Sequence, residues 1–295
     1  MTALTEQARA KVNLTLRVVG RRVDGYHDLE SVVAFADCAD SLTLDPASET
    51  SLTTTGPRAQ DCGAAEDNLV LKAVQQLADR VEGLRSGHFK LEKHLPVAAG
   101  IGGGSADAAA ALRLLARLND IPLDDPRLLD AARHTGADVP VCLGSISCVM
   151  TGVGDSLLPV ALPRMPSLLV NPRHAVATRD VFGQLGLKPG SLRIGIADVL
   201  KGGVTWPAPD APAENWMRLL VAGSNDLEAP AVAIEPIITD VLAALRAADG
   251  VDFARMSGSG ATCVAVFEDS DAASRAARSI QAANPSWWVH AGTLG

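Results

Sequence analysis

Four glycines within five residues, at 100, 102, 103 and 104, sit inside the stretch Pro96, Val97, Ala98, Ala99, Gly100, Ile101, Gly102, Gly103, Gly104, Ser105, Ala106, Asp107. Glycine lets a backbone approach a ligand closely and take positive φ without a Cβ clash. The residues that follow, Ala108 to Leu118, are alanines and leucines interrupted only by arginines, which predicts a helix beginning near Ser105. A glycine loop feeding a helix N-terminus leaves N–H groups free at the positive end of the helix dipole. That arrangement suits an anion, and a phosphate is its usual occupant.

What the loop lacks narrows which phosphate it could hold. A Walker A loop ends in Gly-Lys-Ser/Thr, and no lysine stands between Pro96 and Leu118. A G-x-G-x-x-G fingerprint starting at Gly100 needs glycine at 105, where this chain has Ser105. A turn that merely joins a strand to a helix would carry the same glycines, so the loop alone leaves its role open.

Composition sets the outer bounds. At 295 residues, with 47% hydrophobic and 20% charged, the chain is long enough for two domains and describes a globular protein with a sizeable core. Thirty-four acidic residues against 26 basic give a net charge of −8, and no basic run exceeds Arg21-Arg22. Bulk binding to nucleic acid or to an acidic membrane is therefore not expected, and an anionic ligand must be held by local dipoles and a few cations. The five cysteines (Cys38, Cys62, Cys142, Cys148, Cys263) form no C-x-x-C pair and read as free thiols of a reducing, cytoplasmic compartment. Glu6, Arg9 and Lys11 stand where a signal peptide would have an unbroken apolar core.

The elements that must position the loop follow from periodicity. Residues 8–19 read as a strand with Lys11, Asn13, Thr15 and Arg17 on its second face, and residues 29–35, 42–44 and 51–53 as further strands. Asp67 is a candidate N-cap for a helix from about Asn68 to Val81. A strand over 88–93 leads to the glycine loop. Asp125-Pro126 starts another helix that Gly136 ends, so Asp138 lies just past a helix end, and Pro140 is expected to keep helix from resuming. The uncharged stretch from Val139 to Gly154 reads as core strands.

Pro159, Pro163 and Pro166 mark a boundary between domains over 1–160 and 161–295. Beyond it come a strand at 168–170, an irregular insertion with a mobile loop over 202–215, helix 235–248, strand 252–256 and a Gly258-Ser-Gly260 turn. Strand 261–267, helix 271–283 and strand 286–291 follow. Insertion aside, this is the β-α-β-β-α-β order of a split βαβ fold.

Three motifs then occur in fixed order: Ala10-Lys-Val-Asn13, the glycine loop, and Met256-Ser-Gly-Ser-Gly-Ala-Thr262. Together they resemble the superfamily of small-molecule kinases that includes galactokinase, homoserine kinase and mevalonate kinase (GHMP). The segments Arg22-Val-Asp-Gly-Tyr-His27, Glu66-Asp-Asn-Leu69, Gly136-Ala-Asp-Val-Pro140, Gly152-Val-Gly154 and Ser224-Asn-Asp226 narrow the resemblance to the branch acting on a cytidine diphosphate-linked polyol. The resemblance implies an α+β, two-domain GHMP kinase fold. Its N-terminal domain would be like ribosomal protein S5 and would bind ATP. Its C-terminal domain would be ferredoxin-like, with the substrates between the two.

The same resemblance implies roles for individual residues. Asp138 matches the catalytic base that accepts the proton of the attacking hydroxyl, and Lys11 the cation paired with it. Asn13 would orient the acceptor or the carboxylate. Residues 96–106 match the ATP phosphate loop, and Asn68 and Lys93 match positions near the adenosine. Tyr26 and His27 match the cytidine pocket, and Phe182 the ring that stacks on the base from the other side. Thr178 would contact the diphosphate or the polyol, and Gly258, Ser259 and Gly260 would bring backbone close to the substrate phosphates. Taken singly, each has a plainer reading: a turn aspartate, a strand lysine, a core phenylalanine, a hairpin turn. The family pattern Gly-Gly-Gly-Ser-Ser-Asn-Ala is here Gly102-Gly-Gly-Ser-Ala-Asp-Ala108. Ala106 thus offers no hydroxyl, and Ser105 or water must take its place. No side chain is singled out as a metal ligand, and Mg²⁺ is expected as its ATP complex.

Overall fold

The computed structural model describes residues 2–193 and 206–295, so 202–205 of the expected loop lie outside the described residues. The described chain forms two compact units that interleave in sequence. Unit 1 runs up to Lys11 and then takes in Cys38–Val97 and Gly102–Ser145; unit 2 takes in Val12–Asp37, Ala98–Ile101 and the described residues from Ile146 onward. The units therefore do not meet at residue 160. Strands β1 (Leu4–Asn13) and β3 (His27–Ala47) each contribute residues to both, so no single cut of the chain separates them.

In unit 1, β3 pairs antiparallel with β5 (Ser86–Glu92), which pairs parallel with β4 (Ser51–Thr55). Leu42 and Leu44 stand opposite Leu91 and Phe89, all fully buried. Four helices accompany them: α1 (Leu69–Ala78), α2 (Gly103–Leu118), α3 (Pro126–Thr135) and α4 (Val139–Gly144). Alanine lines α2 on nearly every side, which lets α1, α3 and α4 approach it closely. The helix expected at 125–136 forms as read, capped by Asp125 with Pro126 at its first position. Helix does resume after Asp138, because Pro140 falls in the first turn of α4, where its missing N–H breaks no helical hydrogen bond. The 139–154 stretch is thus a short helix followed by one strand, β6 (Cys148–Gly152).

In unit 2, β2 (Arg17–Arg21) and β6 both pair with the first part of β3, and β7 (Ser156–Pro159) pairs with β6. Among its described residues, the insertion between 172 and 235 carries helices α5 (Thr178–Gly183), α6 (Ala213–Ala222) and α7 (Glu228–Ile234). The rest has the predicted order: β8 (Met165–Asn171), α8 (Ile237–Arg246), β9 (Val251–Met256), β10 (Cys263–Phe267), α9 (Ser270–Ala283) and β11 (Trp288–Leu294). The sheet runs β11-β8-β10-β9, every neighbour antiparallel, as a ferredoxin-like sheet must. Leu168, Val170, Cys263 and Ala265 meet Ile238, Val241, Leu245, Ala273 and Ile280 in its core.

The alternating pattern at 8–19 misled in one respect. Residues 10–16 are buried on both faces, Lys11, Asn13 and Thr15 included, and the strand breaks between β1 and β2. Among the described residues, no helix is long and apolar enough to cross a membrane.

Candidate active site

Helix α2 begins at Gly103, after Gly102 takes a left-handed conformation with φ 62° and no side chain caps the end. Its first intrahelical bond runs from the Ala106 N–H to Gly102 O at 2.8 Å, so the N–H groups of Gly103, Gly104 and Ser105 have no acceptor within the helix. The glycines divide the work. A Cβ at Gly102 would lie 3.3 Å from the stem of Lys11, and one at Gly103 would lie 3.4 Å from Lys93 Nζ. Two lysines thus pack beneath consecutive glycines, and the unpaired N–H groups at the positive end of the helix are what suits an anion there. Ala106 faces the interior and is buried, so a side chain at that position points away from the exposed Gly104.

Lys11 Nζ donates to Asp138 Oδ2 at 2.9 Å, joining residues 127 apart in sequence. The lysine side chain is 4% exposed and the aspartate 38% exposed, so the carboxylate is fixed from behind and open in front. Asp138 stands at the N-cap position of α4 but makes no capping bond, which leaves its oxygens to Lys11 and to whatever reaches the open side. Cys142, one turn on, is no competing nucleophile: burial first, and then the Asp138 charge, push its thiol up to about 12.

The second glycine motif meets the first within unit 2. Ser257 Oγ accepts the N–H of Asn13 at 3.0 Å and donates to Gly100 O at 3.1 Å, while the Thr262 N–H donates to Ala99 O at 3.0 Å. A Cβ at Gly100 would fall 2.5 Å from Ser257 O, and one at Gly258 would fall 2.7 Å from Gly100 O, so both positions require glycine. Asn13 Nδ2 donates to Ser31 Oγ at 2.7 Å, but Asn13 Oδ1 is buried with no partner. A buried acceptor left unpaired is costly unless a ligand satisfies it. Thr178 and Ser259 share a hydroxyl hydrogen bond of 2.8 Å, which brings two more of the expected substrate residues together.

Tyr26 is 60% exposed, at the edge of a turn. His27 and Phe182 stack directly on each other, with ring centroids 4.5 Å apart and an interplanar angle of 26°. No third ring fits between two rings already in contact, so only the outer faces of this pair are open to stacking. Burial, and then the Arg21 charge, lower the pKa of His27, which favours a neutral imidazole able both to donate and to accept.

Two expected nucleotide residues sit otherwise than their surroundings in sequence suggest. Asn68, rather than Asp67, is the N-cap of α1, and its side chain accepts the Val70 N–H at 2.9 Å. Lys93 is buried between two carboxylates, Asp40 at 2.6 Å and Asp107 at 2.5 Å. Asp107, Ser257 and Asn225 lie inside motifs that the sequence singles out but carry no assigned role there, while Asp40 and Ser31 lie in none of them. Asn225 Nδ2 donates to Met256 O and Gly258 O, both at 2.8 Å, and so holds the second glycine turn. Asp107 did leave a signal, because an acid inside an alanine helix buried all round needs a partner. Among the described residues, no group of three or more His, Cys, Asp or Glu side chains is placed to hold a metal ion.

Comparison with known proteins now bears on this geometry. The model of the GHMP kinases N terminal domain matches residues 68–145, and that of the GHMP kinases C terminal matches residues 211–286. A 4-diphosphocytidyl-2-C-methyl-D-erythritol kinase of Rhodopseudomonas palustris (strain BisB18) is 66% identical over 293 residues, which is 99% of this chain and 95% of that protein. A crystal structure of 4-(cytidine 5'-diphospho)-2C-methyl-D-erythritol kinase is 33% identical, with a TM-score of 0.76 and 99% of both chains covered. Homoserine kinase from Cytophaga hutchinsonii shares the fold at 18% identity, with a TM-score of 0.71 and 100% of this chain and 95% of that one covered.

Proposed function

This chain belongs to the GHMP kinases and, within them, to the 4-diphosphocytidyl-2-C-methyl-D-erythritol kinase family, and from that premise we propose that it uses ATP to phosphorylate the 2-hydroxyl of 4-diphosphocytidyl-2-C-methyl-D-erythritol. The products are the 2-phosphate and ADP, a step in the non-mevalonate route to isoprenoid precursors. The observation that carries the mechanism is the Lys11–Asp138 pair, a carboxylate anchored by a buried ammonium yet open to an incoming hydroxyl. Asp138 takes the hydroxyl proton as the hydroxyl oxygen attacks the γ-phosphorus, the bond from that phosphorus to the bridging oxygen breaks, and ADP leaves. Lys11 keeps Asp138 oriented and offsets negative charge as it gathers on the transferred group.

Residues 96–106 hold the ATP phosphates by backbone N–H groups and helix dipole, with Asn68 on the adenosine side of that loop and Lys93 buried beneath Gly103, where it bears on the loop. Mg²⁺ enters as the ATP complex, where it neutralises phosphate charge. Asn13, through its unpaired buried oxygen, takes a hydrogen bond from the acceptor polyol. Tyr26, His27 and Phe182 recognise the cytosine by stacking and by hydrogen bonds to its edge. Thr178, Gly258, Ser259 and Gly260 face the diphosphate. Five cysteines with no C-x-x-C pair, three of them buried, support a reducing, cytoplasmic setting.

A coupled ADP-release assay tests the reading, with 4-diphosphocytidyl-2-C-methyl-D-erythritol run against homoserine and mevalonate. Turnover with the cytidine substrate alone is expected. Turnover with either of the others in its place would overturn the assignment.

A further inference from the structure

We propose that Asp40, Lys93 and Asp107 form a positioning cluster that staples the two ends of the phosphate loop and thereby sets ATP affinity without touching the nucleotide. The proposal rests on the reading that residues 96–106 hold ATP. Lys93 lies three residues before that segment and Asp107 one residue after it, so the 2.5 Å bond between Nζ and Oδ2 closes the segment into a ring. Asp40, from β3, completes the clamp. Its Oδ2 takes Lys93 Nζ at 2.6 Å, and its Oδ1 accepts the N–H groups of His94 at 2.6 Å and Leu95 at 2.8 Å. The backbone entering the loop is therefore fixed at three consecutive residues, because the Lys93 N–H also donates to Thr55 O at 2.8 Å.

The cluster is an unusual choice on grounds of stability alone. The side chains of Asp40, Lys93 and Asp107 are 0%, 3% and 3% exposed. Two carboxylates share one ammonium, and Asp107 Oδ1 has no partner. A buried ionic cluster of this kind is often no more stabilising than apolar side chains of the same volume. An alanine at 107 would continue the surrounding alanine run of α2. What the charges supply instead is direction: the bonds fix where α2 begins relative to the strand end that feeds it, and its first N–H groups are the phosphate donors. Lys93 is buried beneath Gly103 and held by both acids, so its effect on ATP passes through the loop.

Three variants of the full chain test this: Asp107→Ala, Asp107→Asn and Lys93→Met. ATP affinity is read by calorimetry, together with KM for each substrate, kcat and the melting temperature. Asp107→Ala and Lys93→Met are expected to weaken ATP binding about tenfold or more, since small displacements of binding groups are costly. For Asp107→Ala the expected kcat at saturating ATP and KM for the cytidine substrate stay within about threefold, the pattern of lost uniform binding. Asp107→Asn keeps an acceptor for Lys93 and is expected to restore most of the affinity. If Lys93→Met weakens ATP binding while Asp107→Ala does not, Lys93 contacts the nucleotide itself and the proposal is overturned. It is equally overturned if the variants melt earlier yet bind ATP like the wild type. Asp107→Ala, in a helix already rich in alanine, keeps the test open should Lys93→Met fail to fold. Absence of ATP binding by the wild-type protein would instead sink the kinase reading and this inference with it.

Discussion

Replacing Asp138 with asparagine keeps the shape of the side chain and removes the base. Asp138→Asn is expected to lower kcat by about 10²–10⁴-fold, the usual share of general-base catalysis, while calorimetry finds ATP binding nearly unchanged. Retained turnover would take Asp138 out of the proton transfer. Phe182→Ala removes one ring of the His27–Phe182 stack and is expected to raise KM for the cytidine substrate roughly 5- to 150-fold, matching 1–3 kcal/mol per stacked base, with the KM for ATP unmoved. Asp138, Lys11, His27 and Phe182 are all singled out by motif, and the structure does bring Lys11 onto Asp138 across 127 residues. The direct contact of His27 on Phe182 at 4.5 Å is not legible, because nothing in local spacing ties the two rings. Asp40 was hidden for a related reason, since a lone aspartate in a strand looks like any edge charge until its buried lysine is known.

Among the elements, those whose side chains carry one clear period were read well. The alanine run of α2, the amphipathic α1 and α9, and the short apolar strands of the ferredoxin-like sheet all form close to where the sequence puts them. Elements with competing signals were not. The 21-residue β3 read as two short strands because Asp37, Asp40 and Pro46 interrupt its apolar pattern. Helix α4 is hidden in the sequence because Pro140 reads as a breaker, although the first turn of a helix tolerates proline. Asn68 allows capping and ligand contact to be separated at this scale. Its Oδ1 caps α1, which leaves the amide NH₂ available to a ligand. Asn68→Asp keeps the cap and is expected to hold the melting temperature while raising KM for ATP roughly 2- to 12-fold, the value of one net hydrogen bond. Asn68→Ala is expected to lose about 1 kcal/mol of stability as well, measured by urea unfolding. An unchanged KM for ATP in both variants would leave Asn68 as a cap alone.

For the whole molecule, the linear boundary at residue 160 could not anticipate interleaved units, because β1, β3 and the glycine loop each supply residues to both. The charge buried in unit 1 also shapes the response of the fold to pH. Burial, with the Asp40 carboxylate adding to it, outweighs Lys93 and raises Asp107 to about 7. The folded chain then holds a proton that the unfolded chain, with a carboxylate pKa of about 4, has already released. Wild-type stability should therefore fall as pH rises from about 4 to about 7 and level off above it, relative to Asp107→Asn, which has nothing to titrate there. Parallel urea melts of the two proteins across that range measure the difference, and a constant gap between them would show that Asp107 is ionised throughout.

The central claim is that this chain transfers a phosphoryl group from ATP to the 2-hydroxyl of 4-diphosphocytidyl-2-C-methyl-D-erythritol through Asp138. Phosphorus NMR of the reaction mixture, with wild-type and Asp138→Asn enzymes side by side, tests it most directly. The prediction is a new phosphomonoester signal coupled to the C2 position, formed with ADP by the wild type and at least about a hundredfold more slowly by the variant. A phosphomonoester at another hydroxyl, or its formation at the same rate by both proteins, would contradict the account.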